Sequence, residues 1–199
     1  MKDITNNEMM FMLSIFKSPE SKYNANNLAK LIGISRMGAL KIAKKLESEG
    51  IISSQEFGRA KFYRLNINDD YVKQYIRFLL KREAKQAHPY VRVWIDEIRK
   101  IKSADAAILF GSVLRKFKDA GDIDVVLILN EKNYKKVKNE ILEVNEIGTK
   151  KIHALFQTTK DFIGNIKKND KPLLSAVNGI YVFGEDLLME LMLNGASRQ

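Results

Sequence analysis

The run Ala106-Ala107-Ile108-Leu109-Phe110-Gly111-Ser112 is followed, after a short spacer, by Asp122-Ile123-Asp124-Val125-Val126-Leu127-Ile128-Leu129. No other part of the chain constrains the fold as much. Two apolar runs of strand length are joined through a Gly-Ser turn and a stretch long enough for one short helix. The second run opens on two carboxylates. Side chains alternate along a strand, so Asp122 and Asp124 fall on one face, one pleat apart. Such a pair offers hard oxygen ligands to Mg²⁺ and can hold that ion against a nucleoside triphosphate. Gly111 lets the backbone approach a phosphate where a Cβ would clash. The Ser112 hydroxyl and the N–H groups of the following helix start can bind phosphate oxygens. A plain loop followed by a solvated strand start would use the same residues; the spacing between two apolar strands favours the site.

Gly-Ser, the spacer 113–121 and Asp-x-Asp together resemble the signature of the DNA polymerase beta-like nucleotidyltransferase superfamily. The resemblance implies a small α/β domain with a mixed sheet. It also implies Mg²⁺ held by Asp122 and Asp124, and a triphosphate bound by Gly111, Ser112 and Arg115. Arg115 stands where small members of the family carry Arg, and Lys116 stands where their pattern has glycine. Catalytic members use a third carboxylate on a later strand, which binds metal and helps deprotonate the attacking hydroxyl. The corresponding strand here, Lys151 to Gln157, holds no Asp or Glu and has His153 at that position. Imidazole accepts a proton but is a poor Mg²⁺ ligand. His153 reads first as a partly buried strand histidine and second as a catalytic base beside Asp122 and Asp124. Glu131 and Asp161 lie just outside the apolar strands.

The 199 residues suffice for one medium or two small domains, with 45% hydrophobic and 29% charged residues as in ordinary globular chains. There is no apolar run of about 18 residues or more, and Met1 to Asn7 contain no apolar signal core, so no membrane partner and a cytoplasmic location are expected. The absence of cysteine excludes disulfides and thiolate metal sites. A net charge of +10 favours a polyanionic partner, although a generally Lys-rich composition gives the same excess.

The first third of the chain sharpens that reading. Thr5-Asn6-Asn7-Glu8 has the form of a capping box, and Met9, Met12, Leu13 and Phe16 follow at helical spacing up to Pro19. Asn24 to Asn27 cap a short helix, Leu28 to Ile32, that Gly33 ends; Ser35 then caps a helix from Arg36 to Ser48. Ile51 to Gln55 and Lys61 to Leu65 read as a hairpin. This order, and the run Leu28-Ala29-Lys30-Leu31-Ile32-Gly33-Ile34-Ser35 within it, is similar to the winged helix-turn-helix family across residues 7–66.

With Ala39, Ile42, Ala43 and Leu46 turned inward, the outer side of the third helix carries Arg36, Met37, Leu40, Lys41, Lys44 and Lys45. A helix fits the major groove of double-stranded DNA, and lysines on it neutralise phosphates. Arg59 and Lys61 on the wing can reach the backbone or minor groove. A winged helix used only for protein contacts remains the alternative.

Residues 69–101 read as a helical connector between a domain at 1–68 and one at 102–199. Tyr71, Val72, Tyr75, Ile76, Leu79 and Leu80 form an apolar stripe suited to a homodimer. His88 falls in a turn beside Pro89, as an exposed loop residue. Further on, a helix over 133–146 turns Val137, Ile141 and Leu142 inward, Thr159 caps the next, Pro172 opens another, and Ile180 to Phe183 is a strand.

The fold expected is therefore α+β, a winged helix-turn-helix followed by a small nucleotidyltransferase-like domain. The chain resembles, over nearly its whole length, prokaryotic and especially archaeal regulators of that plan. The function implied is a DNA-binding transcriptional regulator whose second domain binds nucleotide and Mg²⁺ without turnover. The alternative is an enzyme that transfers a nucleoside monophosphate from a triphosphate to a hydroxyl of a protein, RNA or small molecule. A third reading is a dimerising scaffold on DNA.

Overall fold

Residues 4–18, 20–58 and 60–196 are described by a computed structural model, an α+β arrangement with two small sheets. The chain divides into two compact units, Met1–Leu79 and Leu80–Gln199. Among the described residues no helix is long and apolar enough to cross a membrane.

In the first unit, α1 (Asn6–Lys17) leads through the short strand β1 (Tyr23–Asn24) to α2 (Ala25–Ile32) and α3 (Arg36–Ser48). The strands β2 (Ile52–Phe57) and β3 (Ala60–Leu65) follow as an antiparallel hairpin. β1 adds to β3, so the sheet runs β1-β3-β2. This is the winged-helix arrangement. Local chemistry sets the boundaries. Thr5 and Glu8 close a reciprocal capping box on α1. Asn24 does the same for α2 with Asn27. Gly33 ends α2 in the left-handed conformation, φ 72°, which costs glycine no steric penalty. Ser35 accepts the Gly38 N–H at 3.0 Å and starts α3. Pro19 lies outside the described residues. The core joins Phe11, Met12, Leu28, Ala39, Leu46 and Ile51, all at most 1% exposed.

Two carboxylates of this unit are held by cations. Glu8, 8% exposed at its side chain, takes an ion pair from Lys45 at 2.6 Å. Burial pushes the Glu8 carboxyl up, but the hydrogen bonds from Lys45 and from Thr5 outweigh it and leave the group below its ordinary value of 4.5. The Ser54 hydroxyl, the largest influence, holds Glu47 low as well; burial opposes it and Lys61 adds to the lowering. A carboxylate held low binds its proton less tightly in the native state than in the unfolded chain. Its stabilising contribution is present above pH 4.5 and is lost as pH falls through the lowered native value. Thermal melts stepped down through this range should therefore show a steeper loss of stability in wild type than in Glu8→Gln/Glu47→Gln. Equal slopes would exclude these two groups as the source.

The second unit contains the end of α4 (Asp70–Gln86), whose first ten residues belong to the first unit. The stripe expected to make a dimer is largely used within the chain: Val72, Ile76, Leu79 and Leu80 are fully buried, and Tyr71 remains exposed, as does Phe78 outside that stripe. α5 (Pro89–Ile98) begins at Pro89 itself, because a proline without an N–H is tolerated in a first turn. β4 (Ala106–Phe110), the one-turn helix α6 (Val113–Lys116), β5 (Ile123–Ile128), α7 (Tyr134–Ile147) and β6 (Ile152–Gln157) follow. Then come α8 (Thr159–Lys167), α9 (Lys171–Val177), β7 (Ile180–Phe183) and α10 (Glu185–Ala196).

The sheet runs β6-β5-β4-β7, with β5 and β6 parallel and the other pairs antiparallel. On one face Leu109, Val125 and Leu127 meet Trp94 and Ile98 of α5 and Val137 and Val144 of α7. α9 and α10 lie against β4, and α8 against β6. Burial on both faces explains why Val125 to Leu129 is an unbroken apolar run. Leu142 is 54% exposed, against expectation, and Val144 takes its place in the core. Ile141 already occupies the inward stripe, and the next residue is rotated about 100° round the helix. The cap of α8 is Thr158 rather than Thr159: its hydroxyl accepts the Asp161 N–H, and the Asp161 carboxylate returns to Thr158.

Candidate metal centre and nucleic-acid interface

Three adjacent strands come together where β4 ends and β5 and β6 begin. Phe110 pairs with Asp124, and Asp124 pairs with His153. Residues in register on hydrogen-bonded neighbours share a face, so the Asp124 and His153 side chains stand side by side. Asp122, two residues earlier, joins them. One ligand atom from each of Asp122, Asp124 and His153 lies within 4.8 Å of the others. His153 Nδ1 is 3.5 Å from Asp124 Oδ1, with the imidazole 80% exposed and the Asp124 side chain 23% exposed. The expected partial burial of His153 is not found. β6 is an edge strand, and its first residues have no further strand beside them.

Gly111 has φ 83°, and a Cβ built there would overlap the Asp124 carboxylate. The turn thus forms a cradle against which Asp124 packs. Ser112 is half-buried; its carbonyl accepts the N–H groups of Arg115 and Lys116, and its hydroxyl caps no backbone N–H of α6. Arg115 is exposed. Lys116, where the motif has glycine, keeps an ordinary φ of −95°. Phe117, the next residue, has a positive φ of 50°, a costly conformation for a bulky side chain. Its ring stacks on His88 with centroids 3.9 Å apart. His88 is exposed, but it also caps α5, its Nδ1 accepting the Tyr90 N–H.

Neither flanking acid completes the group. Glu131 follows β5 and Asp161 caps α8 after β6, both at the opposite end of the strands from Asp124 and His153. The donor set is two carboxylates and one imidazole. That set fits a divalent cation, but it is not the all-oxygen set that Mg²⁺ favours. A separate cleft of about 550 Å³, lined by Lys81, Lys85, Arg92, Arg99 and Glu185 among others, lies beyond the C-terminal end of β7 and includes none of these groups.

In the first unit, α3 buries Ala39, Ala43 and Leu46 and half-buries Ile42. Arg36, Met37, Lys41 and Lys44 are exposed, and Leu40 is half-buried. Among the described residues Arg36, Lys41 and Lys44 have no ion pair. Lys45 is different, because its ammonium is bound to Glu8. Lys61 pairs with Glu47 at 3.2 Å. Arg59 lies outside the described residues. Sequence reasoning missed Phe57, 49% exposed beside the wing turn, with the Lys22 ammonium 5.6 Å from its ring centroid. A large aromatic at the end of a hairpin strand was the available signal.

No protein-family model matches this chain, and no curated protein does. Among solved structures, the chain is similar to the adhesin competence repressor (AdcR) from Streptococcus pyogenes, at 12% identity and a TM-score of 0.37, over 72% of this chain and 80% of that one. A likeness of that degree fixes neither function nor partner.

Proposed function

We propose that this protein is a DNA-binding regulator whose second unit binds a nucleoside triphosphate with a divalent cation. The observation that carries the first part is the outer face of α3. Arg36, Lys41 and Lys44 present cations without an ion pair among the described residues, on a helix of a winged-helix unit, at the width a major groove accepts. For the second part, Asp122 and Asp124 would hold the cation, and Gly111, Ser112 and Arg115 would receive phosphate oxygens, as the nucleotidyltransferase resemblance implies. Mg²⁺ is the cation of that resemblance. Bound nucleotide changes DNA affinity only if it distinguishes two states of the protein. Tyr71 and Phe78 supply exposed apolar surface for a homodimer on a two-fold operator.

The test is thermal stability with each of the four triphosphates, with and without divalent cation, on wild type and on Asp122→Asn/Asp124→Asn. A ligand that binds the native state raises the melting temperature, by about 2.7 kcal/mol of added stability at a hundred times its dissociation constant. The expected result is a cation-dependent rise that the double variant loses. No rise with any triphosphate would remove the nucleotide from the proposal and leave the DNA-binding part.

One observation favours the enzymatic reading as well. The exposed His153 imidazole stands beside Asp124, where a protonatable group could take the proton of an acceptor hydroxyl as its oxygen bonds to the α-phosphorus and pyrophosphate leaves. Transfer of labelled nucleotide that persists unchanged in Asp122→Asn would place any such activity elsewhere.

A further inference from the structure

We infer that the Asp122–Asp124–His153 group selects a first-row transition-metal ion, of the Mn²⁺ or Zn²⁺ class, over Mg²⁺. This rests on the reading of that site as a cation site and changes which cation it takes. Three observations lead there.

The donor chemistry comes first. Carboxylate and water suit Mg²⁺, whereas imidazole suits zinc, iron and nickel, and mixed carboxylate and imidazole sets hold divalent manganese, iron and zinc. Here one of the three groups brought within 4.8 Å of one another is an imidazole. Mg²⁺ also keeps its waters reluctantly exchanged, so a nitrogen ligand gains little from it.

Geometry comes second. The separation of 3.5 Å between His153 Nδ1 and Asp124 Oδ1 is long for a hydrogen bond. It is close to the spacing of about 3.0–3.4 Å that two adjacent ligands take when each lies about 2.1 Å from one metal ion. Both residues sit in register on adjacent hydrogen-bonded strands, so their Cα positions are set by the sheet rather than by a loop. The Gly111 turn keeps clear the space that the Asp124 carboxylate occupies.

Elimination comes third. The chain contains no cysteine and only two histidines. His88 is committed as the cap of α5 and stacks on Phe117. Any transition-metal affinity that depends on an imidazole or a thiolate therefore points to His153, which is exposed to incoming ions. An imidazole bound to metal through Nδ1 does not serve as a general base at that atom, so metal selection and proton transfer by His153 Nδ1 exclude each other.

The experiment uses the full chain stripped of metal. Mn²⁺, Zn²⁺ and Mg²⁺ are each titrated alone by calorimetry, and Mn²⁺ binding is followed also by the loss of the free-ion electron paramagnetic resonance signal. The variants are His153→Ala, His153→Asp and, as a control on the other histidine, His88→Gln, with circular dichroism confirming that each is folded. Wild type should bind one Mn²⁺ or Zn²⁺ at least about tenfold more tightly than Mg²⁺. His153→Ala should lose that margin while leaving Mg²⁺ affinity unchanged. His153→Asp, by restoring an all-oxygen set, should strengthen Mg²⁺ binding and narrow the margin. His88→Gln should behave as wild type. Affinity for Mg²⁺ in wild type that equals or exceeds the affinity for both Mn²⁺ and Zn²⁺, or a margin that survives in His153→Ala, overturns the inference.

The triphosphate melts on the same samples separate the two ideas. A Mg²⁺-dependent triphosphate shift without any transition-metal preference sinks this inference and leaves the nucleotide-binding proposal standing. A His153-dependent metal preference without any triphosphate shift does the reverse.

Discussion

Lys41→Glu/Lys44→Glu is expected to weaken binding to duplex DNA by about a hundredfold near 0.1 M salt, and to flatten the salt dependence by about two in the slope of log K against log salt. Both lysines are exposed on α3, and neither has an ion pair among the described residues. Each therefore has its charge available to displace a counterion from a phosphate. Reversing it removes that release and adds repulsion. The proper control is Lys135→Glu/Lys136→Glu on α7, two exposed lysines whose reversal makes the same change in net charge. If the control weakens binding as much, the attraction comes from total charge and the face of α3 is not the interface. Lys45 is left out of the variant deliberately, because its ammonium is bound to Glu8 and its loss would act on folding. Titration of fluorescent duplex at several salt concentrations measures both quantities.

Gly111→Ala is expected to do two separable things. Its φ of 83° lies where an L-residue with a side chain pays about 1–2 kcal/mol, and that alone lowers the melting temperature of a chain this size by about 2–8 °C. The new methyl also overlaps the Asp124 carboxylate, which must move away from His153. Cation affinity should then fall by at least about tenfold, since coordination depends on ligand placement at the level of tenths of an ångström. Gly121→Ala makes the comparison fair. Gly121 is not at a positive φ, and a Cβ there meets nothing within 4 Å. Cation binding in Gly111→Ala that matches wild type would mean the cradle is incidental to the site.

The residues bearing on these two experiments were not equally legible. Where structure follows from neighbours in sequence, the reading reached the element. Thr5 with Glu8, Asn24 with Asn27, and Ser35 before Arg36 cap helices because a side-chain oxygen three residues away can reach a free N–H. The bounds Arg36–Ser48 for α3 and Ile180–Phe183 for β7 follow from such local signals. Small misplacements also have local causes: two threonines stand together before α8, and the one with an acid three residues on becomes the cap.

What escaped the reading lies across the fold. Nothing near Lys45 indicates that its ammonium meets Glu8, 37 residues away in sequence. Phe117 takes a positive φ that no neighbouring residue announces, and its ring stacks on His88 from a distant turn. His153 is exposed because β6 lies at the edge of its sheet, and strand order is a property of the whole unit.

The sequence by itself determined the kinds of elements, their caps, and the chemical types available: two carboxylates one pleat apart, a Gly-Ser turn, a basic outer helix face. These depend on periods of two or about 3.6 residues and on contacts within one turn. Only the tertiary structure decided which cations are spent in ion pairs and which acids stand too far away to help. It alone set an imidazole beside Asp124, because the parallel register of β5 and β6 aligns residues 29 positions apart in the chain. Local chemistry cannot specify such a pairing; burial of both sheet faces does.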